Sequence, residues 1–341
     1  MSCWYKKSNS SNGIIISSRV RLARNISDLP FPRRMSESAF SDLKSRVKSA
    51  VEDMSANDGI KLKYIEMDDI PENEINAMVE RHVISPGFAK NFEHRAIAIS
   101  ADESVSVMIG EEDHIRIQVL LPGEALDEAY KLADTIDDAL NSRLGFAFDS
   151  ELGFLTECPT NIGTGLRASV MIHLPVCEAK GEMATITDTA GKIGFTVRGM
   201  YGEGSKAAAS LYQISNQITL GISEKTAVDN LKVIAQQIVE REKLRRAEYD
   251  RLDLEDKVFR ALGTLKFARI LSSDEFMKLI SLIKLGVDEG IIQSENIDPV
   301  DMLIEAQPYM LMKKYSVMGP AERDEARAKM MRMLLETIEG D

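Results

Sequence analysis

Two period-two runs, Ser104-Val-Ser-Val-Met-Ile109 and Ile115-Arg-Ile-Gln-Val119, flank the short segment Gly110-Glu-Glu-Asp-His114. Alternating apolar and polar residues on both sides of a glycine-led turn predict a β-hairpin. Further alternations at Arg95–Ala101, Ser169–Leu174, Glu182–Thr187 and Lys192–Arg198 predict strands that succeed one another largely without crossover helices. Such a sheet is mainly antiparallel and not doubly wound. Helical periodicity supplies its cover. Ser36 opens an amphipathic helix with Phe40, Leu43, Val47, Val51 and Met54 on one face. A second helix carries Leu126, Ala129, Tyr130, Ala133, Ile136 and Leu140, and a long third carries Val228, Leu231, Ile234, Ala235 and Ile238. The expected fold class is α+β, a mainly antiparallel sheet flanked by helices.

The last part of the chain reads differently. From Tyr249 onward glycine is sparse, eight of the 17 methionines occur, and apolar residues recur at helical spacing, as in Phe276, Leu279, Ile280 and Ile283. The expected division is a mixed domain over 1–248 and an all-α domain over 249–341. No apolar run approaches the ~20 residues of a membrane span, and the segment from Met1 to Ser11 is polar, so the expected location is cytoplasmic. Cys3, Cys158 and Cys177 are too few and too far apart for a disulfide framework, and four histidines argue against a protein-held zinc site. With 42 Lys+Arg against 54 Asp+Glu the net charge is −12, which disfavours nucleic acid and anionic membranes as direct partners. A local concentration of basic residues therefore has another purpose.

Such a concentration is present. Arg19 and Arg21 lie at i, i+2 and so share one face of a strand, while Arg116, Arg167 and Arg198 sit in similar strand-end settings. Any one of them is accounted for by a salt bridge. Five converging form a clamp for polyphosphate, which the planar guanidinium fork suits. Nine of the 21 glycines fall between Gly153 and Gly204, a region of tight turns and close backbone approach. Within it, Cys158-Pro-Thr-Asn-Ile-Gly-Thr-Gly-Leu-Arg167 offers Gly163 and Gly165 for contact with phosphates but matches neither generic nucleotide-loop motif. Cys158 is either a small packed hydrophobe or a thiolate favoured by nearby arginines. The hairpin-tip acids Glu111, Glu112 and Asp113 taken alone are a solvated turn, and Glu203 between Gly202 and Gly204 suggests a closing lid. Two carboxylates, Glu112 and Glu203, facing a set of arginines match phosphoryl transfer to a guanidino nitrogen. The carboxylates hold a guanidinium, and the arginines hold ATP phosphates.

The segments Ser17-Ser-Arg-Val-Arg21, Glu111-Glu-Asp-His-Ile-Arg116, Cys158-Pro-Thr-Asn-Ile-Gly-Thr-Gly-Leu-Arg167 and Arg198-Gly199 through Glu203 resemble, in this order, the catalytic segments of the phosphagen (ATP:guanido) kinase family over residues 14–248. The resemblance implies that Glu112 and Glu203 are the catalytic carboxylates and Cys158 the reactive cysteine beside the guanidinium. It implies nucleotide binding by Ser18, Arg19, Val20, Arg21 and Leu22, by Arg116, by Arg167, Ala168, Ser169, Val170 and Met171, and by Arg198, Gly199, Met200, Tyr201 and Gly202. His82, in Arg81-His-Val-Ile-Ser-Pro86, resembles the histidine near the adenosine, although a structural role accounts for it equally well. ATP is the implied phosphate donor, with Mg²⁺ held by its phosphates and water and by no protein ligand. Gly110 stands where the family usually has Asn.

The chain shows no counterpart of the helical N-terminal domain of small-molecule guanidino kinases and adds a helical C-terminal region. That arrangement resembles the branch of the family that phosphorylates arginine side chains in proteins. The implied function is transfer of the γ-phosphoryl of ATP to those side chains, marking proteins for regulated proteolysis and controlling stress-response repressors. The implied partners are protein substrates with exposed arginine, a zinc-binding activator protein, Clp-type protease machinery and a second copy in a homodimer. In the helix opened by Gly319-Pro320, Arg323 and Arg327 at i, i+4 form by themselves a salt-bridged surface or an anion site. With Asp324 and Ala328 they resemble the phosphoarginine-binding motif of this branch, which implies allosteric activation by phosphoarginine. Two rivals remain: a kinase of free arginine or another small guanidino compound, and a catalytically weak adaptor that binds phosphoarginine.

Overall fold

The computed structural model describes residues 3–7, 13–200, 208–293, 297–316 and 318–336. Its strands are β1 (Ile15–Arg24), β2 (Lys63–Glu66), β3 (Ala96–Ile99), β4 (Val105–Ile109), β5 (Ile115–Pro122), β6 (Phe148–Asp149), β7 (Gly153–Phe154), β8 (Leu166–His173), β9 (Phe195–Gly199) and β10 (Leu211–Asn216). Eight of them form one sheet in the order β2-β3-β4-β5-β1-β8-β10-β9, and every pairing in it is antiparallel. β6 and β7 make a separate small hairpin. The α+β expectation holds, including the β4–β5 hairpin.

Helices α1 (Glu37–Asn57), α4 (Leu126–Leu144) and α7 (Glu224–Ala247) back one face of the sheet. Each starts or repeats as the sequence dictates. Ser36 Oγ accepts from Ala39 N at 3.2 Å to cap α1, and Ser223 Oγ accepts from Thr226 N at 3.1 Å to cap α7. Leu43, Val47 and Val51 of α1, Ala133, Ile136 and Leu140 of α4, and Val228, Leu231 and Ala235 of α7 then close on Val20, Leu22, Ile117, Val119 and Val170 of the sheet. Each such fully buried Leu, Ile or Val stabilises the fold by roughly 1.5–3 kcal/mol.

Shorter helices α2 (Glu72–Glu80), α3 (Pro86–Lys90), α5 (Pro175–Ala179) and α6 (Met183–Lys192) fill the connections. The C-terminal region is helical throughout its regular structure: α8 (Arg251–Phe267), α9 (Ser273–Asp288), α10 (Pro299–Glu305), α11 (Pro308–Tyr315) and α12 (Pro320–Leu334). Its apolar side shares a second core with Trp4, Tyr5, Ile16, Leu120, Val176, Met200 and Leu211, so these helices pack on part of the sheet face opposite α1, α4 and α7. Among the described residues no helix is long and apolar enough to cross a membrane.

Two expectations from local pattern fail. Glu182–Thr187 is not a strand: Met183–Lys192 is the helix α6, because Ile186 and Ala190, four apart, are the residues buried in the core. Its start is fixed by Glu182, whose carboxylate bridges Arg241 and Arg245 of α7 at 2.6 Å each. The following strand consequently begins at Phe195, after Gly194 at φ 82° has turned the chain.

Candidate functional site

The register of the sheet gathers the arginines. Arg21 of β1 pairs with Arg167 of β8 and Gln118 of β5, Arg19 pairs with Ser169, Ala23 pairs with Arg116, and Arg198 of β9 pairs with Gln213 of β10. Directly paired residues project to the same side, and alternate residues along a strand share a face. Arg19, Arg21, Arg167 and Arg198 thus enter one cavity of 220 Å³, closed by His82, Ser85 and Met200. Arg116 stands at its margin, close enough to depress the basicity of Arg19, Arg21 and Arg167.

The residues between them face away. Val20, Leu22, Ala168 and Val170 are buried in the helix-backed core. Ser18 Oγ, on their side, donates to the Gly123 carbonyl at 2.8 Å and accepts from Ala125 N at 3.0 Å. Met171 and Met200 lie on the arginine side, where they join the second core and Met200 also closes the cavity, and Gly199 ends β9. The arginine-bearing segments therefore present side chains to the cavity from alternate positions only.

The electrostatics call for an anion. Burial, then the charges of Arg116 and Arg167, bring Arg19 down to about 10. Burial, then Arg19, Arg116 and Arg167, hold Arg21 well below its usual value, with Glu111 as the opposing influence. Burial, then Arg198 and Arg116, lower Arg167. Guanidinium stays protonated at neutral pH, so these depressions mark charges held out of water and, beyond that, repelling one another. Arg19 is steadied by neutral groups, donating from Nη2 to Gln213 Oε1 at 2.7 Å and from Nε to Ser169 Oγ at 3.4 Å. Arg21 Nε is buried without a hydrogen-bond partner. Clustered cations with an orphaned donor fit polyphosphate oxygens.

The three hairpin-tip acids have three different settings. Asp113 is structural: its Oδ1 accepts from Asn25 Nδ2 at 2.7 Å and from Glu157 N at 2.8 Å, tying the tip to the segment before Cys158. Glu111 is buried against Arg116 and the Ser85 hydroxyl. Glu112 is 41% exposed, with one oxygen 3.2 Å from Arg116 Nη2. It opens onto a groove of 960 Å³ that Glu37, Phe40, Glu93, Arg95 and Glu157 also line. Gly110 precedes them at φ 81°, and a side chain there would overlap the ring of Phe40 from α1. Phe40 is the physical reason that this turn holds glycine.

Cys158 leads into the one-turn helix Pro159–Asn161, half-buried, with Sγ 3.1 Å from Thr160 Oγ1. Arg167 lies within the electrostatic reach of both Cys158 and Glu112, so thiol and carboxylate flank the same arginine. The glycines that follow serve packing and not phosphate contact. A Cβ at Gly163 would overlap the Thr219 carbonyl, and one at Gly165 would lie 2.6 Å from the Ala23 carbonyl. Their N–H groups donate to Phe154 O and Asn161 O. Glu203, with Tyr201 and Gly202, lies outside the described residues.

His82 lies at φ 60°, a left-handed conformation that costs a non-glycine residue roughly 1 kcal/mol or more. Burial and the neighbouring Arg19 push its imidazole down to about 3, so it is neutral at physiological pH. Sequence reading overlooked Gln118, Gln213, Ser215 and Ser85 in this cavity. Gln118 had a signal, standing two residues after Arg116 in a recognised strand. Gln213 and Ser215 lie on β10, which that reading had not identified.

The C-terminal motif is on α12. Arg327 is a buried hub: Nε donates to Ala306 O at 3.0 Å, Nη1 to Leu271 O at 2.7 Å and Asp324 Oδ1 at 2.6 Å, and Nη2 to Ser273 Oγ at 2.9 Å. Ala328 is fully buried. Arg323 approaches Met312 Sδ at 3.8 Å and acts electrostatically on Glu80 of α2.

Comparison with known proteins agrees with this geometry. Residues 42–245 match the family model "ATP:guanido phosphotransferase, C-terminal catalytic domain", and residues 251–341 match "Protein-arginine kinase McsB C-terminal domain". The chain is 41% identical to a protein-arginine kinase of Brevibacillus brevis, over 99% of this chain and 96% of that protein. It is also 41% identical to one of Halothermothrix orenii, over 98% and 97%. Among solved structures it resembles the duplicated taurocyamine kinase of Schistosoma mansoni, with a TM-score of 0.61 and 26% identity, covering 68% of this chain and 33% of that one. Lombricine kinase shares the fold, with a TM-score of 0.60 and 21% identity, covering 69% and 68%.

Proposed function

The chain belongs to the ATP:guanido phosphotransferase family, on its protein-arginine kinase branch, and we propose from that premise that it transfers the γ-phosphoryl group of ATP to arginine side chains of proteins. The observation that carries this reading is a set of half-buried, mutually repelling arginines on one sheet face with Glu112 at its margin. Arg19, Arg21, Arg167 and Arg198 hold the phosphates of ATP. Arg116, anchored by Glu111, sits between phosphates and acceptor. Mg²⁺, arriving with the nucleotide, neutralises phosphate charge, and no side chain of this protein is assigned to it.

The acceptor guanidinium is a poor nucleophile because its lone pairs are delocalised and its pKa exceeds ~12. Glu112 fixes it in line with the γ-phosphorus, with Glu203 as the second carboxylate. A guanidino nitrogen forms the N–P bond while the bond from phosphorus to the β–γ bridging oxygen breaks. ADP leaves with that electron pair, and Glu112 takes the proton released from nitrogen. Cys158 borders the acceptor. Most of the rate arises from positioning and from cations already arranged around the transferring group.

Residues 1–248 form the catalytic unit and 249–341 a regulatory one, where Arg323 and Asp324 meet phosphoarginine, with Arg327 and Ala328 as the buried frame that holds them, and binding activates the enzyme. The protein works in the cytoplasm as a homodimer, with a zinc-binding activator, and passes its products to Clp-type protease machinery. An open 960 Å³ groove beside Glu112 suits a polypeptide better than free arginine. The test is incubation with ATP and a protein such as casein, read by mass spectrometry at a pH that preserves N–P bonds. Phosphoarginine is the expected product. Phosphate on serine or threonine alone refutes the proposal, and turnover of free arginine in preference to protein favours the small-molecule rival.

A further inference from the structure

Three consecutive residues join the arginine cavity to the C-terminal helices. Glu80, at the end of α2, accepts from Tyr309 N at 2.9 Å and Met310 N at 2.9 Å. These are donors of the first turn of α11, whose own N-cap residue, Gln307, provides no side-chain cap. The acceptor needed at that helix end thus comes from a different part of the chain, and burial pushes its carboxyl up to about 7. Arg81 is clamped by Glu103 at 2.8 Å and Glu74 at 2.9 Å, and reaches Met310 Sδ at 3.5 Å. Glu74 in turn holds Lys313 of α11 at 2.6 Å, and Trp4 Nε1 donates to the Arg81 carbonyl at 2.8 Å. His82 follows in its left-handed conformation, with its carbonyl accepting from Gln118 Nε2 at 2.9 Å. A strained residue persists only where its surroundings over-determine it, and here they are the His82 N–H bond to Val79 O at 2.9 Å and the Gln118 bond, flanked by the ties of Glu80 and Arg81.

We propose that Glu80 is a positioning residue for the nucleotide cavity: by capping α11 it holds the C-terminal helices against the turn that fixes His82, so the state of that region sets ATP affinity through residues 80–82. The proposal rests on the reading of the arginine cavity as the ATP site.

The structural counterpart used as a control is Glu242 of α7, which differs in also pairing with Arg246 at 2.9 Å. It is also buried, and accepts from Val176 N at 3.1 Å and Cys177 N at 2.9 Å in the first turn of α5, yet neither α5 nor α7 lines the cavity. ATP binding, KM and kcat are measured on the full chain with Glu80→Gln and Glu242→Gln, alongside thermal melts. At about pH 8, above the value near 7 to which burial raises the Glu80 carboxyl, Glu80→Gln raises Kd and KM for ATP about tenfold, the scale of a lost charged hydrogen bond, with kcat at saturating ATP within about twofold. Glu242→Gln lowers the melting temperature at least as much, because it also takes a carboxylate from the buried Arg246, and leaves ATP affinity unchanged. Wild-type affinity in Glu80→Gln overturns the proposal, as does an equal loss in Glu242→Gln, which would make the effect general destabilisation. Should Glu80→Gln fail to fold, Glu74→Gln, at a partly exposed pair, raises KM for ATP about threefold, and no rise overturns the proposal. A wild-type chain that binds no ATP defeats the site reading itself, a result distinct from equal binding by both proteins.

Discussion

Adjacent glutamates with opposite duties give the sharpest test of the site. Glu112 is 41% exposed, and among the described residues its one ion pair is with Arg116, at 3.2 Å. An exposed pair of this kind contributes about 0–1 kcal/mol, so Glu112→Gln leaves the melting temperature almost unchanged. On the proposed mechanism the same substitution removes the charge that orients the guanidinium and the base that receives its proton. General-base and electrostatic contributions of this type are each worth about 10²–10⁴ in rate, or roughly 3–5 kcal/mol in the barrier. Glu111 is only 9% exposed, and its partner Arg116 14%. Glu111→Gln strands a largely buried cation beside Arg19, Arg21 and Arg167. Its cost is about 1–3 kcal/mol, below the full penalty for breaking a buried pair because Glu112 remains near Arg116. Melts, nucleotide binding and mass-spectrometric counting of N–P bonds separate the two. The expected pattern is a stable, ATP-binding, inactive Glu112→Gln and a destabilised Glu111→Gln that still transfers phosphate. A Glu112→Gln protein that phosphorylates at the wild-type rate refutes the assignment, and the reversed pattern transfers the role to Glu111.

Other perturbations follow from the same geometry. Arg21→Met relieves like-charge repulsion, so the ATP-free protein melts no lower and gains on the order of 1 kcal/mol. It loses most of the roughly 2.7 kcal/mol that ATP at a hundred times Kd gives the wild type, and a retained ATP-induced shift in calorimetry counts against the clamp. Gly110→Ala forces a side chain into φ 81° and into Phe40. A loss of about 2–4 kcal/mol is expected in urea titration, with Phe40→Ala recovering the steric part only; full additivity would contradict the contact. For His82, held at about 3 when folded and near 6.5 when unfolded, the unfolded chain takes up the proton first as pH falls. The stability it contributes is complete above pH 6.5 and declines toward pH 3. By pH 5 the loss is about 2 kcal/mol. His82→Asn, which tolerates the left-handed backbone, removes that part of the acid sensitivity, and equal pH dependence in both proteins would contradict a buried neutral imidazole.

What could be read in the sequence was what local pattern determines. The β4–β5 hairpin, the cap at Ser36 and the apolar stripes of α1, α4 and α7 each follow from residues within one or two turns of each other. Met183–Lys192 was misread because Thr185, Ile186 and Thr187 favour strand locally, whereas Ile186 and Ala190 meet the core only as a helix. β10 escaped notice because Leu211-Tyr-Gln-Ile-Ser-Asn216 places polar Gln213 and Ser215 on the cavity face. The five arginines were visible as a set, but the exclusion of Val20, Leu22, Ala168 and Val170 from the cavity required the strand register. Nothing local distinguishes Glu111 from Glu112. Burial against Arg116 and Ser85 does, and both partners come from other segments.

Arg24 shows why residue type alone could not have separated structure from function. It stands in the same strand as Arg19 and Arg21, at an even position, and therefore projects into the helix-backed side. It is completely buried there, with Asp137 of α4 at 2.8 Å and Glu224 of α7 at 3.0 Å, and with the Phe154 ring 3.5 Å from its guanidinium. Its donors also reach the Ala23 and Thr164 carbonyls. Two carboxylates and a full set of acceptors make Arg24 a closed structural unit that needs no external anion. Arg21, three residues earlier on the other face, has three arginines around it and a buried Nε with no acceptor. The distinction makes opposite demands of one substitution. Arg24→Met leaves Asp137 and Glu224 buried without their cation and costs about 3–5 kcal/mol whether or not ATP is present. Arg21→Met costs nothing until ATP is added. If both variants lost stability equally without ATP, the arginine cavity would be an ordinary part of the core and not a site held open for phosphate.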